Sequence, residues 1–352
     1  EQIMRLQVII PLIILLIFSY LIFIFPFEVI SSWLGRSTSL QETFLSTSFV
    51  YLVCLYYFRS KSSNKIVKFF VYEGMGIGTI SLFTVIFILM VSLLLSINNT
   101  QKIFIFFIIF FPSIIYGFFN AKNVIVKQLK FSHYKIKKNL NFIFLSDIHI
   151  GSNSPKILKK IIPLINQQNP SFVLVGGDLI DSSSFKIQDL DEMKKINAPI
   201  YFVTGNHEYY IEDSQKHLND FKNQNIKVLD NESVLVEQIN IIGLSDNQKK
   251  ENKINKFEQL FDSDYFNLLL VHQPSIWNSL KEKANLTLSG HTHNGQIFPF
   301  NFIVKIKFPQ IYGVYYHLKN YLYVSSGAAT WGPKIRIGSK NEILNIELTN
   351  NS

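Results

Sequence analysis

Charge is nearly absent from long stretches of the first 121 residues. Leu6 to Phe27, Gly74 to Gln101 and Ile103 to Ala121 contain no Asp, Glu, Lys or Arg. An apolar helix needs about 20 residues to cross ~30 Å of hydrocarbon, and each run is long enough. A fourth run, Thr43 to Phe58, is shorter and opens on Thr43, Ser46, Thr47 and Ser48. It can cross with little tilt, or with its polar start at the interface. Pro11 and Pro26 fall near run ends, where a missing backbone donor costs least. The expectation is a transmembrane domain of about four helices over 1–121. Composition fits, because 48% of the chain is apolar and only 17% charged, against roughly 25% charged in soluble proteins.

Basic residues set the expected orientation. Arg59, Lys61, Lys65 and Lys68 crowd the second loop, and Lys122, Lys127 and Lys130 follow the last run; the other loops hold only Arg36 and Lys102. The positive-inside rule makes the crowded loops cytoplasmic. With four crossings, the N-terminal segment with Arg5 and the C-terminal domain both lie in the cytoplasm, at the inner membrane. Without the Thr43 to Phe58 crossing, the C-terminal domain changes sides. A secretory signal is the alternative for the first run, but Phe25-Pro26-Phe27-Glu28 offers no small-residue cleavage site. The uncharged runs give no ion path, which argues against a transporter.

The net charge of +9 divides into +3 before Lys122 and +6 from it onward, a mildly basic membrane protein rather than a nucleic-acid binder. Cys54 is the single cysteine, which excludes an internal disulfide framework and a thiolate metal cluster. Aromatic content of 14% excludes disorder.

After a basic linker with a leading strand (122–140), the texture changes over 141–352. Strands are expected at Phe142–Leu145, Phe172–Val175, Tyr201–Val203, Ile241–Leu244, Leu268–Val271, Leu286–Leu288, Tyr321–Val324 and Ile343–Leu348. Helices are expected at Lys156–Gln168, Ile187–Ile196, Ser214–Gln224 and Ser275–Lys283. Such alternation predicts an α/β layered domain.

Coordinating side chains cluster just after the strands. Asp147-Ile-His149 follows the first. Gly-Gly-Asp178-Leu-Ile-Asp181 follows the second, its glycines letting the backbone turn tightly beneath Asp178. Gly-Asn206-His207-Glu208, then His272-Gln-Pro, then Gly-His291-Thr-His293 complete the series. One strand-end histidine is usually a structural hydrogen bonder, and one such aspartate a helix cap. Five coincidences in one chain reverse that expectation, and an imidazole and carboxylate set without thiolate suits Mn, Fe or Zn.

In order and spacing this pattern resembles the calcineurin-like metallophosphoesterases over Asn141 to Leu348. The resemblance implies a four-layer α/β/β/α sandwich and two divalent metal ions, Mn foremost, with Fe, Zn or Mg as alternatives. It makes Asp147, His149 and His293 ligands of one ion, and Asn206, His272 and His291 ligands of the other, with Asp178 shared. His207 contacts the scissile phosphate, so the implied catalytic residues are His207, Asp178 and Asn206, acting with a metal-bridging hydroxide. Asp181 and Glu208 fit the pattern as groups that orient ligands or backbone. Tyr209 and Tyr210 either line the pocket or pack together, and His133, His217 and His317 lie outside every motif, with a surface or core role.

Within the superfamily, protein phosphatases place Arg-Gly after the second Asp, whereas Ser182-Ser-Ser follows here; this weighs against a phosphoprotein substrate. Gly290-His-Thr-His-Asn-Gly-Gln296 and the tail Tyr321 to Gly338 are similar to bacterial membrane-attached phosphoesterases, including UDP-2,3-diacylglucosamine pyrophosphatases of lipid A synthesis. Asn294 replaces a usual glycine there, and asparagine tolerates left-handed backbone. Ile297 to Leu318, rich in Phe, Ile and Tyr with Lys305 and Lys307, is either a lipid-contacting stretch or ordinary core and edge strands. The expected function is hydrolysis of a phosphodiester or pyrophosphate in a lipid-linked substrate, with membrane lipids as partners and no nucleic acid. A broad-range phosphodiesterase or phosphatase is the enzymatic alternative, and a non-catalytic scaffold or sensor the other.

Overall fold

The computed structural model describes residues 2–60 and 64–350; Lys61 and the side chain of Arg5 lie outside the described residues. The chain forms two units, one of Glu1–Phe119 with Gly332–Ile337, the other of Asn120–Trp331 with Gly338–Ser352.

In the helical unit, α1 (Gln2–Ser19) passes through a π-helical stretch (Tyr20–Ile24) into α2 (Phe25–Trp33). Pro26 has no N–H for the Ile22 carbonyl four residues back, which accounts for a local break in the α-helical ladder. Gly78 of α4 (Lys65–Leu94) packs on that carbonyl, where a Cβ would overlap Ile22 O. Trp33, Val85, Ile88 and Phe106 form the buried core of this unit.

Three segments, Ile9–Trp33, Lys65–Leu94 and Asn99–Ala121, are long and apolar enough to cross a membrane. The expected fourth is a helix, α3 (Leu40–Ser60), but it is not among them. Glu42, Thr43, Ser46, Thr47 and Ser48 dilute its apolar content. The uncharged run Gly74 to Gln101 is also divided. Asn64 caps α4, its side chain accepting from Ile66 N at 2.9 Å, and a reciprocal pair between Asn98 and Gln101 (2.9 and 3.0 Å) opens α5 (Asn99–Ala121). Charge does occur within these helices, and it is partnered. Glu28 accepts from Tyr20 Oη at 3.1 Å and from Thr43 Oγ1, and Glu73 accepts from Lys334 N at 3.2 Å.

The second unit contains two six-stranded sheets. Its strands are β1 (Val124–Ser132), β2 (Leu140–Leu145), β3 (Val173–Val175), β4 (Ile200–Phe202), β5 (Ile226–Val228), β6 (Glu232–Val236), β7 (Ile239–Leu244), β8 (Phe266–Val271), β9 (Leu286–Ser289), β10 (Gly313–His317), β11 (Asn320–Val324) and β12 (Asn341–Thr349). The first sheet runs β1-β12-β2-β3-β4-β5 and the second β10-β11-β9-β8-β7-β6. Within them, β2-β3-β4-β5 and β7-β8-β9-β11 pair in parallel.

Side-chain alternation explains the layering. Phe142 and Phe144 of β2 enter the core between the sheets with Leu268 and Leu270 of β8. Ile143 and Leu145 face the other way, onto α6 (Leu158–Asn166) and α7 (Ser214–Asp220). Leu269 and Val271 likewise pack on α8 (Lys250–Leu260) and α9 (Trp277–Leu280). Both faces of each sheet are covered, as near-continuous apolar strands require.

The expected strands all occur, with ends shifted by a residue or two. The Ile187–Ile196 segment is a 3₁₀ helix (Ile187–Lys195). Four elements carried too little apolar signal: α8, whose sequence Lys-Glu-Asn-Lys-Ile-Asn-Lys-Phe buries chiefly Phe257, and the short or edge strands β5, β6 and β10. A further helix, α10 (Phe300–Lys307), lies within the stretch read as either core or lipid contact.

Register positions the site. Leu145 pairs with Val175 and Val175 with Phe202, so β2, β3 and β4 end level and release their next residues along one edge. In the second sheet, β8 and β9 pair Leu270 with Leu288, and His272 and His291 follow at comparable height.

Candidate metal centre

Asp147, His149 and His293 form one close group of potential ligand atoms, and Asp178, His272 and His291 another. In the first, His149 Nε2 lies 3.2 Å from His293 Nε2, and Asp147 Oδ1 lies 3.5 Å from His293 Nε2. In the second, His272 Nε2 is 3.1 Å from both Asp178 Oδ2 and His291 Nδ1. Asp178 also ties the groups together, with Oδ2 3.7 Å from His149 Nε2.

Tautomers sharpen this picture. His272 Nδ1 lies 2.8 Å from Gly176 O, which fixes its proton there and leaves the Nε2 lone pair facing Asp178 and His291. His149 Nδ1 lies 3.3 Å from Asp181 Oδ2, which turns its Nε2 toward His293. Electron pairs therefore converge on one another from both sides, an arrangement that only a proton or a cation relieves. Asn206 Oδ1, on the loop after β4, is buried without a hydrogen-bond partner. These oxygen and imidazole donors fit two divalent cations sharing Asp178.

The electrostatics follow from burial. Burial opposes ionisation of Asp178, yet the facing His272, His149 and His207 hold its carboxyl well below the usual range. Against its own burial, His272 is pushed up to about 10 by Asp178. Burial pushes His291 down to about 3 and raises Asp147 despite His272.

The groups expected to orient ligands can be located atom by atom. Glu208 is fully buried and accepts N–H bonds from Asp178 (3.1 Å), Leu179 (2.7 Å), Ile180 (3.0 Å) and Gly205 (2.7 Å), joining two ligand loops with one carboxylate. Burial and the charge of Asp178 push it up to about 7. Asp181 accepts from Ser152 N at 2.7 Å and from Ser152 Oγ, which holds it against His149. Gly177 takes φ +89°, while its neighbour Gly176 serves to clear the ring of Phe144.

His207 stands at the rim. Its N–H donates to Asp178 Oδ1 at 2.9 Å, its Nε2 lies 3.9 Å from Asp178 Oδ2, and its side chain is 18% exposed. Burial lowers it to about 4. Its ring meets Tyr210 at 5.3 Å and Trp331 at 5.6 Å between centroids. Tyr209 instead turns inward, its hydroxyl 2.9 Å from Thr204 Oγ1. Sequence reasoning assigned no role to Trp331, nor to Phe308, which packs on His291 at 4.8 Å. Neither lies in a ligand motif, and only the fold brings them to the centre. Of the remaining histidines, His133 is buried, His217 packs on Phe185 at 5.2 Å and His317 is half-buried on β10.

Carboxylate and imidazole groups at level strand ends of a layered α/β sandwich make this a candidate metal-binding domain. Residues 140–295 match the calcineurin-like phosphoesterase family. The chain is 37% identical over 227 residues to an uncharacterized metallophosphoesterase of Helicobacter pylori, with 61% of each chain covered. It is 34% identical over 237 residues to one from Campylobacter jejuni, with 63% of each covered. A Danio rerio transmembrane protein with metallophosphoesterase domain is 29% identical over 260 residues, covering 66% of this chain and 60% of that protein. The chain thus spans a little over three fifths of the length of these relatives.

Proposed function

We propose that this protein is a membrane-anchored, metal-dependent phosphoester hydrolase that cleaves a phosphodiester or pyrophosphate bond in a membrane-associated substrate. The observation that carries it is the shared position of Asp178 between two groups of converging lone pairs.

Asp147, His149 and His293 would hold one cation, Asn206, His272 and His291 the other, with Asp178 common to both. When bound, two divalent ions, manganese in our reading, supply Lewis acidity and lower the pKa of water toward neutrality. The protein's own groups do the rest. Two carboxylates against two divalent charges leave the site net positive, which draws in phosphoryl oxygens. Glu208 and Asp181 keep Asp178 and His149 oriented without entering the site. His207, neutral at the exposed rim, offers its single ring N–H as a hydrogen bond to the phosphate or to the leaving oxygen. Tyr210 and Trp331 restrict the motion of that ring.

A lipid-linked substrate is supported by the membrane-crossing helices, since tethering concentrates enzyme and substrate in one surface. UDP-2,3-diacylglucosamine is the candidate to test. A cytoplasmic catalytic domain is our reading of the basic loops, and it requires that α3 cross as well. Full-length protein in detergent with Mn²⁺ should release UMP from that lipid, and Asp178→Ala should abolish release. Activity on bis(p-nitrophenyl) phosphate with none on the lipid would assign a broad-range phosphodiesterase. Full activity in Asp178→Ala would overturn the metal assignment.

A further inference from the structure

We infer that α10 is an interfacial helix that lies in the headgroup region of an anionic lipid bilayer. Helical geometry advances about 100° per residue, and burial identifies the two sides. Asn301 and Val304 are half-buried and Phe308, just past the helix, is buried, so this side faces the protein. The opposite side carries a ridge of Phe302, Ile303 and Ile306, exposed by 60%, 51% and 83%. Lys305 and Lys307 project on either side of that ridge, both exposed.

A water-facing ridge of Phe and Ile is costly, and contiguous apolar surface of this kind marks a contact. Charge decides which contact. From Ile297 to Asn320 the chain contains Lys305, Lys307 and Lys319 and no Asp or Glu. An apolar ridge between two lysines suits acyl chains below and anionic headgroups at the sides, with the lysine stems reaching outward. A protein partner would find no carboxylate here to pair with its own basic groups. The same chain carries helices able to cross a bilayer, so a lipid surface is always within its reach. Phe308, which ends the helix, rests on His291, so a docked α10 brings headgroup phosphates to the level of the metal centre.

The test uses full-length protein in vesicles of phosphatidylglycerol and phosphatidylcholine, with a bimane label on Ile306→Cys; the native Cys54 is buried. Brominated acyl chains should quench the label and aqueous iodide should not, the reverse of a label on Lys249→Cys at the exposed start of α8. Lys305→Gln and Lys307→Gln should each lower the docking equilibrium constant on the order of fivefold, from about 1 kcal/mol per lysine. Equal iodide quenching at 306 and 249 would overturn the inference. Shielding from both quenchers would overturn it too, by showing a protein surface on the ridge. The readout involves no turnover, so it stands or falls separately from the hydrolase assignment.

Discussion

Asp147, His149, Asp178, His291 and His293 all hold φ between +50° and +73°, a region that disfavours side chains. Each costs about 1–2 kcal/mol, and Glu208 offsets part of this by fixing the 178–180 backbone. Glu208→Gln keeps the shape but replaces one acceptor oxygen with an NH2 donor, so at most two of the four N–H bonds survive. We expect metal affinity and turnover to fall by about 10–100-fold, with calorimetric metal titration as the check. His207→Ala should lower kcat on the order of 10²-fold or more while leaving metal stoichiometry unchanged. Asn294 has φ +52°, so Asn294→Val should lose about 1–2 kcal/mol of stability in thermal unfolding, whereas Asn294→Gly should be close to neutral. At this scale the sequence was most legible. The ligand side chains are chemically distinctive and each follows an apolar strand. Trp331 and Phe308 were not legible, because an aromatic residue in a loop carries no mark of what it will touch.

Elements were read less evenly. Strands such as β2 and β8, buried on both faces, appear as unbroken apolar runs. By contrast, β5 and β10 are short or edge elements and α8 buries one narrow stripe, so period and propensity had little to report. The long apolar helices were visible as uncharged runs, but their ends were set by Asn64 and by the Asn98–Gln101 pair rather than by the nearest charge. Gly78 offers a test of that packing. Replacing it with leucine would drive a side chain into the Ile22 carbonyl, costing about 1–3 kcal/mol. The variant should unfold at lower temperature in detergent, while Gly35→Ala, next to open space but at φ +83°, should lose only about 1–2 kcal/mol through its backbone.

For the molecule as a whole, one contribution to the pH dependence of stability comes from His133. Burial, with Lys135 and Lys319 nearby, lowers it from 6.5 to about 4. The folded state therefore resists protonation that the unfolded chain accepts. Stability from this group is complete above pH ~6.5 and declines as pH falls toward ~4, by about 2 kcal/mol between pH 7 and 5. His133→Gln should flatten that part of the Tm-against-pH curve.

One consequence concerns biosynthesis. Asp147, His149, Asp178 and Asn206 leave the ends of β2, β3 and β4, whereas His272, His291 and His293 leave β8 and β9. As the polypeptide emerges from the ribosome, the segment up to Asn206 presents only part of the candidate ligand set and would capture a cation weakly. Firm metallation has to await translation of residue 293 and closure of the second sheet onto the first, so nascent chains stalled earlier would leave the tunnel without a working centre.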